Sequence, residues 1–151
     1  MGLDMYLKAK KDYYRSEYNK DKTENEMVEK IALLTGLHVP DGSLSVEVTA
    51  VYWRKSNQIH DWFVRNVQDG KDDCGEYYVS RDCLRELLAA CNEALVNRNR
   101  ADEILPTASG FFFGSTEYDE WYWKDIERTE REIKRVLALP EDVSFNYHSS
   151  W

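Results

Sequence analysis

Cysteine and histidine are scarce in this chain of 151 residues, three of each, and neither type is grouped. Cys74, Cys83 and Cys91 form no CxxC pair, and His38, His60 and His148 lie too far apart for the ligand spacing of a zinc site. The pattern predicts reduced thiols and no structural metal. Long apolar runs are lacking too. No segment approaches the roughly 20 apolar residues that span a bilayer, and the first residues lack the apolar stretch of a signal peptide. Met1-Gly2 opens like a myristoylation site, but Tyr6 stands where Ser or Thr is required. The expectation is a cytoplasmic protein with no membrane partner and no cofactor.

Positive charge is also in short supply, with 20 Lys and Arg against 28 Asp and Glu, a net charge of −8. Six basic and four acidic side chains fall within residues 1–22, which leaves −10 for the rest of the chain. An acidic body argues against general nucleic-acid binding, where phosphates need a basic face. It is compatible with a basic protein partner or with a ligand held in a local basic pocket. No repeat, low-complexity tract or internal linker interrupts the chain. Its length predicts a single domain over 1–151 that buries roughly 70% of its unfolded surface.

Aromatic residues, in contrast, are crowded. Of 20 Phe, Trp and Tyr, 11 fall in the blocks Tyr52–Phe63 and Gly110–Trp123. If the second block turns helical, Trp121, Tyr122 and Trp123 point roughly 100° apart and cannot all enter one core. If Phe111–Phe113 is extended, Phe112 faces opposite to its neighbours. Some of these rings are therefore expected to line a pocket, a subunit contact or a partner surface.

Periodicity places the elements. Leu3, Met5 and Leu7 alternate with polar residues and predict a first strand, and the polar stretch to Lys22 continues it or forms a loop. Thr23-Glu24-Asn25-Glu26 is a capping box, with Met27, Ile31 and Leu34 on the inner face of a helix ended by Gly36. Pro40-Asp41-Gly42 predicts a turn. Ser45–Trp53 alternates strongly, which sets Val46, Val48, Ala50 and Tyr52 on one side and makes Val46 and Val48 core candidates.

Asn57–Gln68 reads as a helix with Ile59, Phe63 and Val67 inward, and Gly75–Val79 as a short strand leading to an N-cap at Ser80. The helix after it, to about Asn97, is expected to bury Leu84, Leu87, Leu88, Cys91 and Leu95. Residues 99–114 read as a long irregular connection, of a kind that is usually functional. A last helix from Ser115 or Thr116 to Leu139 turns Tyr118, Tyr122, Ile126, Ile133 and Leu137 inward and sets Glu127–Arg131 and Glu130–Lys134 pairs outside. Val143–Tyr147 closes the chain as a strand. The fold class is α+β, with about four strands and four helices in a mixed or antiparallel sheet packed by helices.

The best ligand-site pattern is Trp53-Arg54-Lys55 with Asn57 and His60, at a strand-to-helix corner whose free N–H groups attract anions. Arg54 and Lys55 suit a phosphate or carboxylate, with Asn57 and His60 as further polar contacts. Trp53 or Trp62 offers a ring for stacking. Phe111, Phe112 and Phe113 would form a wall or lid, while Trp121 and Trp123 mark an interaction surface. A solvated turn with two surface cations over core tryptophans accounts for the same corner.

Other patterns fall away. His60 has a ring suited to proton transfer, but no base or nucleophile adjoins it, so no catalytic residue is assigned. In Asp72-Asp73-Cys74-Gly75-Glu76 the acidic neighbours disfavour a thiolate, and Lys71 breaks a calcium-loop pattern, leaving a polar turn. Gly110–Thr116 echoes a phosphate loop but is one residue short, has no lysine and carries bulky rings.

Three stretches, MGLDMYLKAKK, YWRKSNQIHDWFVRNVQDGKDDCGEYYVSR and LPTASGFFFGSTEYDEWYWKDI, together resemble a family of small bacteriophage and prophage proteins. The likeness covers the two ends and the centre of the chain. It implies a phage accessory setting and carries no residue roles with it. Phage accessory proteins of this size often counter host defence, by analogy either sequestering a nucleotide signal or occluding a host protein. The leading expectation is a non-enzymatic binder of a small anionic or aromatic, nucleotide-like ligand. The alternatives are an inhibitor that docks on a host protein through Phe112, Trp121 or Trp123, and a small enzyme using His60. Self-association is compatible with each.

Overall fold

The alternation at the N-terminus forms the central ladder of the molecule. A computed structural model describes residues 2–18, 22–40 and 42–151. Its elements are β1 (Asp4–Tyr14), α1 (Thr23–Thr35), β2 (Ser43–Arg54), α2 (Asn57–Asn66), β3 (Glu76–Val79), α3 (Arg81–Val96), α4 (Ala101–Ile104), α5 (Glu120–Leu137) and β4 (Ser144–Ser150). The strands form one open antiparallel sheet in the order β2-β1-β4-β3, so the fold is α+β. Of the loop and strand readings for residues 9–22, the strand extension holds as far as Tyr14. Asp41, the centre of the expected turn, lies outside the described residues.

One face of the sheet is apolar because period-two alternation sends Leu3, Met5, Leu7 and Ala9 the same way, beside Val51, Trp53, Phe145 and Tyr147. These meet Ile59 and Phe63 of α2, Leu84, Leu87 and Cys91 of α3, and Tyr122, Ile126 and Ile133 of α5. The opposite face is polar, with Lys8 between Glu47 and Glu76 and with Tyr6 stacked on His148.

Val46 and Val48 are not core. The register jumps from Leu7↔Val51 to Lys8↔Thr49, so Ala50 is an extra residue on β2. This bulge reverses the phase of the strand. Val51 and Trp53 are inward on one side of it, and on the other Val48 pairs with Ala9 and Val46 with Lys11, where β2 extends past the main helices. Val48 is left 56% exposed. Leu88 is half-buried, whereas Leu3, Leu84 and Ile133 are core as expected.

Helix α1 also turns differently from its expected stripe. Glu24 Oε1 accepts from Tyr14 N (3.0 Å), and Asn25 exchanges bonds with the backbone of Ser16. Those anchors, four and three residues before Val28 and so on its side of the helix, bring Val28 inward and leave Leu34 85% exposed. Thr23 is the first helical residue rather than the cap, which falls at Lys22.

The 99–114 connection is partly helical, with a 3-10 turn at Arg98–Arg100 followed by α4. Helix α5 begins later than expected because the Asp119 side chain caps it, accepting from Trp121 N (2.9 Å) and Tyr122 N (3.1 Å). Tyr118 therefore precedes the helix and is exposed. Among the described residues no helix is long and apolar enough to cross a membrane.

Candidate functional site

Where β2 passes into α2, the chain makes a tight corner. Lys55 takes a left-handed backbone (φ 56°) while its N–H continues the ladder to Leu3 O (2.8 Å). A non-glycine residue held there costs on the order of 1 kcal/mol, and such strain gathers at functional sites. The corner is packed against Gly114, itself at φ +89°, where a Cβ would come within 3.2 Å of Lys55 Cβ.

Asn57, the first residue of α2, fastens the aromatic loop to this corner. Its Nδ2 donates to Phe113 O (3.1 Å) and Ser115 O (2.8 Å), and its Oδ1 accepts from Ala108 N (3.0 Å). Leu3 N donates to Phe112 O (3.1 Å), which ties the loop to β1 as well. Within the loop the Phe113 ring lies over Gly110, where a Cβ would stand 2.6 Å from it. The ring then packs edge-on against His60.

These ties shape a cleft of about 320 Å³ between the corner, the loop and the start of α5. Arg54, Lys55, Gln58, Gly114, Ser115, Trp121 and Asp125 are among its lining residues, with Glu117, Asp119 and Tyr122. Arg54 and Lys55 are exposed, and among the described residues neither is in an ion pair. Trp121 is 71% exposed, with Lys124 over its ring.

Below them the cleft has a polar floor. Gln58 is only 2% exposed, and its Nε2 has no hydrogen-bond partner, like the neighbouring Ser56 Oγ. Both face the half-buried Asp125 carboxylate closely enough to oppose the rise in its pKa, but neither reaches it with hydrogen-bond geometry. Burial is the larger effect and leaves the Asp125 carboxyl above its ordinary range.

Unpartnered buried donors are uncommon and call for an explanation. Among the described residues four buried side-chain atoms lack partners, and two of them, on Ser56 and Gln58, belong to this corner. A wider hollow of about 540 Å³ beside α1, lined by Val28, Ala32, Leu33 and Leu37 among others, includes none of the four.

The expected site residues divide into two groups. Arg54, Lys55 and Trp121 share the cleft. Trp53 does not: it is buried, donates through Nε1 to Thr129 Oγ1 (2.9 Å) and packs on Phe63. Trp62 is buried edge-on to the same ring. Asn57 is consumed by the loop.

His60 is buried with both ring nitrogens occupied, Nδ1 by Tyr147 Oη (2.7 Å) and Nε2 by Asp72 Oδ2 (3.1 Å). Burial holds the Tyr147 phenol well above its ordinary range, which suits a structural hydroxyl and not a nucleophile. Phe111 is 95% exposed, Phe112 and Phe113 are half-buried, and Trp123 is half-buried under the Arg98 guanidinium.

Sequence reasoning missed Gln58 and Asp125. A signal for Asp125 was available, since it lies four residues after Trp121 and so on the same helical face. Among the described residues no three His, Cys, Asp or Glu side chains gather in the manner of a metal centre. In comparison with protein-family models, curated proteins and solved structures, the chain has no significant match.

Proposed function

We propose that the protein is a non-enzymatic binder whose cleft takes a small nucleotide-like ligand, anionic at one end and planar with hydrogen-bonding groups at the other. The observation that carries this reading is the buried, unpartnered Gln58 Nε2 beside Asp125, beneath the exposed Trp121 ring and the unpaired Arg54 and Lys55. Each feature suits one part of such a ligand. The cations suit phosphate, the indole suits a stacked base, and the polar floor suits the edge of that base. Acidic and basic groups share the lining, which favours a ligand with donors as well as negative charge over a simple anion. In a phage accessory setting this chemistry would serve to sequester a nucleotide signal of host defence.

Arg54→Ala and Lys55→Ala test the reading. Each removes a charge-assisted contact and should weaken nucleotide binding in calorimetry by about 1.5–3 kcal/mol, with the melting temperature nearly unchanged. Wild-type affinity in both variants would show that this corner is not the site. A second reading, an inhibitor that docks on a host protein, is favoured by the near-complete exposure of the Phe111 ring. Native mass spectrometry of protein recovered from infected cells separates the two. A bound small molecule supports the first and a stoichiometric host protein the second.

A further inference from the structure

β2 is an outermost strand of the open sheet, and one stretch of its outer edge has nothing against it. Arg15 N donates to Gly42 O (2.6 Å) at one end of the strand and Lys55 N to Leu3 O (2.8 Å) at the other, both across the β1 ladder. Period two from Gly42 turns the backbone groups of Leu44, Val46 and Val48 to β1 and those of Ser45, Glu47 and Thr49 outward. From the bulge onward the edge is covered, because Arg135 Nη2 donates to Ala50 O and Arg128 Nη2 to Tyr52 O (2.8 Å). Residues 45–49 have no such cover among the described residues and are exposed throughout.

A bare edge of this kind is normally blunted by lysine, proline or an inward charge. Residues 43–53 contain neither lysine nor proline, and Glu47 is their only charge, paired with Lys8 (3.4 Å). The side chains alternate as the backbone does. Leu44, Val46 and Val48 share the face of Ala9, and Ser45 and Glu47 share the polar face of Lys10 and Asp12. The pattern reads alike in both directions about Val46. In an antiparallel pair centred there, Val46 meets a second Val46, Leu44 meets Val48 and Ser45 meets Glu47, so apolar faces apolar and polar faces polar. Centring the pair on Glu47 instead would set two carboxylates opposite each other. A strand that matches itself in this way identifies the occupant of the edge as a second copy.

We infer that the protein is a dimer in which β2 pairs with β2 of a second copy, antiparallel about Val46, so that the two four-stranded sheets become one. A twofold axis through that point makes the contact isologous, and each copy gives and receives the same backbone hydrogen bonds. A short strand pair alone covers less than the roughly 800 Å² per partner of a stable interface. Apolar surface on the same flank adds to it. Leu37, 67% exposed, shares a hollow of about 530 Å³ with Ile31, Leu44 and Val46, and Leu33 is exposed on the helix before it. The contact lies at the far end of β2 from Lys55, which leaves the cleft of each copy open.

Sedimentation equilibrium of the full-length chain tests it, and the wild type should sediment at twice its chain mass. Val46→Lys sets two ammonium groups opposite each other across the axis and should weaken association by about tenfold or more, shifting the mass toward that of one chain. Val46 is exposed, so circular dichroism of the variant should match the wild type. A second variant does not depend on that match. The two copies of residue 46 form a non-hydrogen-bonded pair with Cα atoms about 4.5 Å apart, within the span of a disulfide. Mild oxidation of Val46→Cys should therefore give a covalent dimer linked at position 46, read by peptide mapping. Wild type that stays a single chain up to about 100 μM, well above a micromolar dissociation constant, would overturn the second copy and leave the edge to a strand of another protein. A dimer of unchanged affinity in folded Val46→Lys, or a Val46→Cys dimer linked only through the native cysteines, would place the contact elsewhere and overturn the inference.

Discussion

Replacing Asn57 by alanine should unfasten the loop that walls the cleft. The side chain is buried and serves three backbone groups, the carbonyls of Phe113 and Ser115 and the N–H of Ala108. A buried polar group left unpaired costs about 1–3 kcal/mol. Ser115 is exposed and its carbonyl can recover water, whereas Phe113 and Ala108 are half-buried. The expected loss is therefore about 2–4 kcal/mol rather than three full penalties. With a urea m-value of about 2 kcal/mol/M for a chain of this size, the midpoint should fall by about 1–2 M. Asn57→Asp should be at least as damaging, because it keeps the acceptor for Ala108 but sets a carboxylate against two carbonyls. Amide exchange across residues 106–116 should speed up in step. A midpoint shift below about 0.3 M, with loop protection unchanged, would refute the idea that Asn57 holds this wall in place.

The two tryptophans at the start of α5 should behave differently. Trp123→Ala should cost about 2–4 kcal/mol, since that ring packs on the core and under Arg98, while exposed Trp121→Ala should stay within about 0.5 kcal/mol. Equal destabilisation in chemical denaturation would contradict the assignment. Asp125 predicts a pH effect whose sign follows from its raised folded pKa. The native state holds that proton more tightly than the unfolded chain, so the stability it contributes is complete below the ordinary value of 3.8 and is lost as pH rises through the raised one. Asp125→Asn should therefore melt above wild type at pH 7, with the advantage disappearing toward pH 4, and a variant less stable at pH 7 would reverse the argument. Cys91 is buried in the core, and burial pushes its thiol up to about 12. Iodoacetamide should spare it in the native protein while Cys74 and Cys83, both half-buried, react first, and early labelling of Cys91 by peptide mapping would show a looser core.

Most of the fold could be read from alternation and from helix signals. β1, β3, α2 and α3 lie close to where the residues put them, because their apolar periods are regular and Ser80 caps as its position implies, accepting from Cys83 N at 3.1 Å. The failures have local causes that a simple period cannot contain. The bulge at Ala50 joins two stretches of β2 with opposite phase, so Tyr52 does not share a face with Val46 and Val48, and those two valines, on the face of Ala9, are left exposed where β2 has passed the main helices. In α1 the polar ties of Glu24 and Asn25 fix the rotation of a helix whose apolar residues are spread around it. Neither the bulge nor those ties has a sequence mark as plain as a glycine turn.

The candidate site was partly legible for a related reason. Charge and exposure survive in sequence, so Arg54, Lys55 and Trp121 could be singled out without coordinates. The roles of Trp53, Asn57, His60 and Trp62 depend on partners far along the chain: Thr129, the backbone of residues 108–115, Tyr147, and the ring cluster around Phe63. A sequence places a polar residue near a corner but cannot say whether its hydrogen bonds are already spent. That distinction reorders the site. Asn57 and His60 are satisfied within the fold and have little left for a ligand, whereas Gln58, an unremarkable residue between them, keeps a desolvated donor unused beside Asp125. An unspent donor is unfavourable for folding, so part of the cost of this corner sits at the floor of the cleft, where Gln58 and Asp125 face each other.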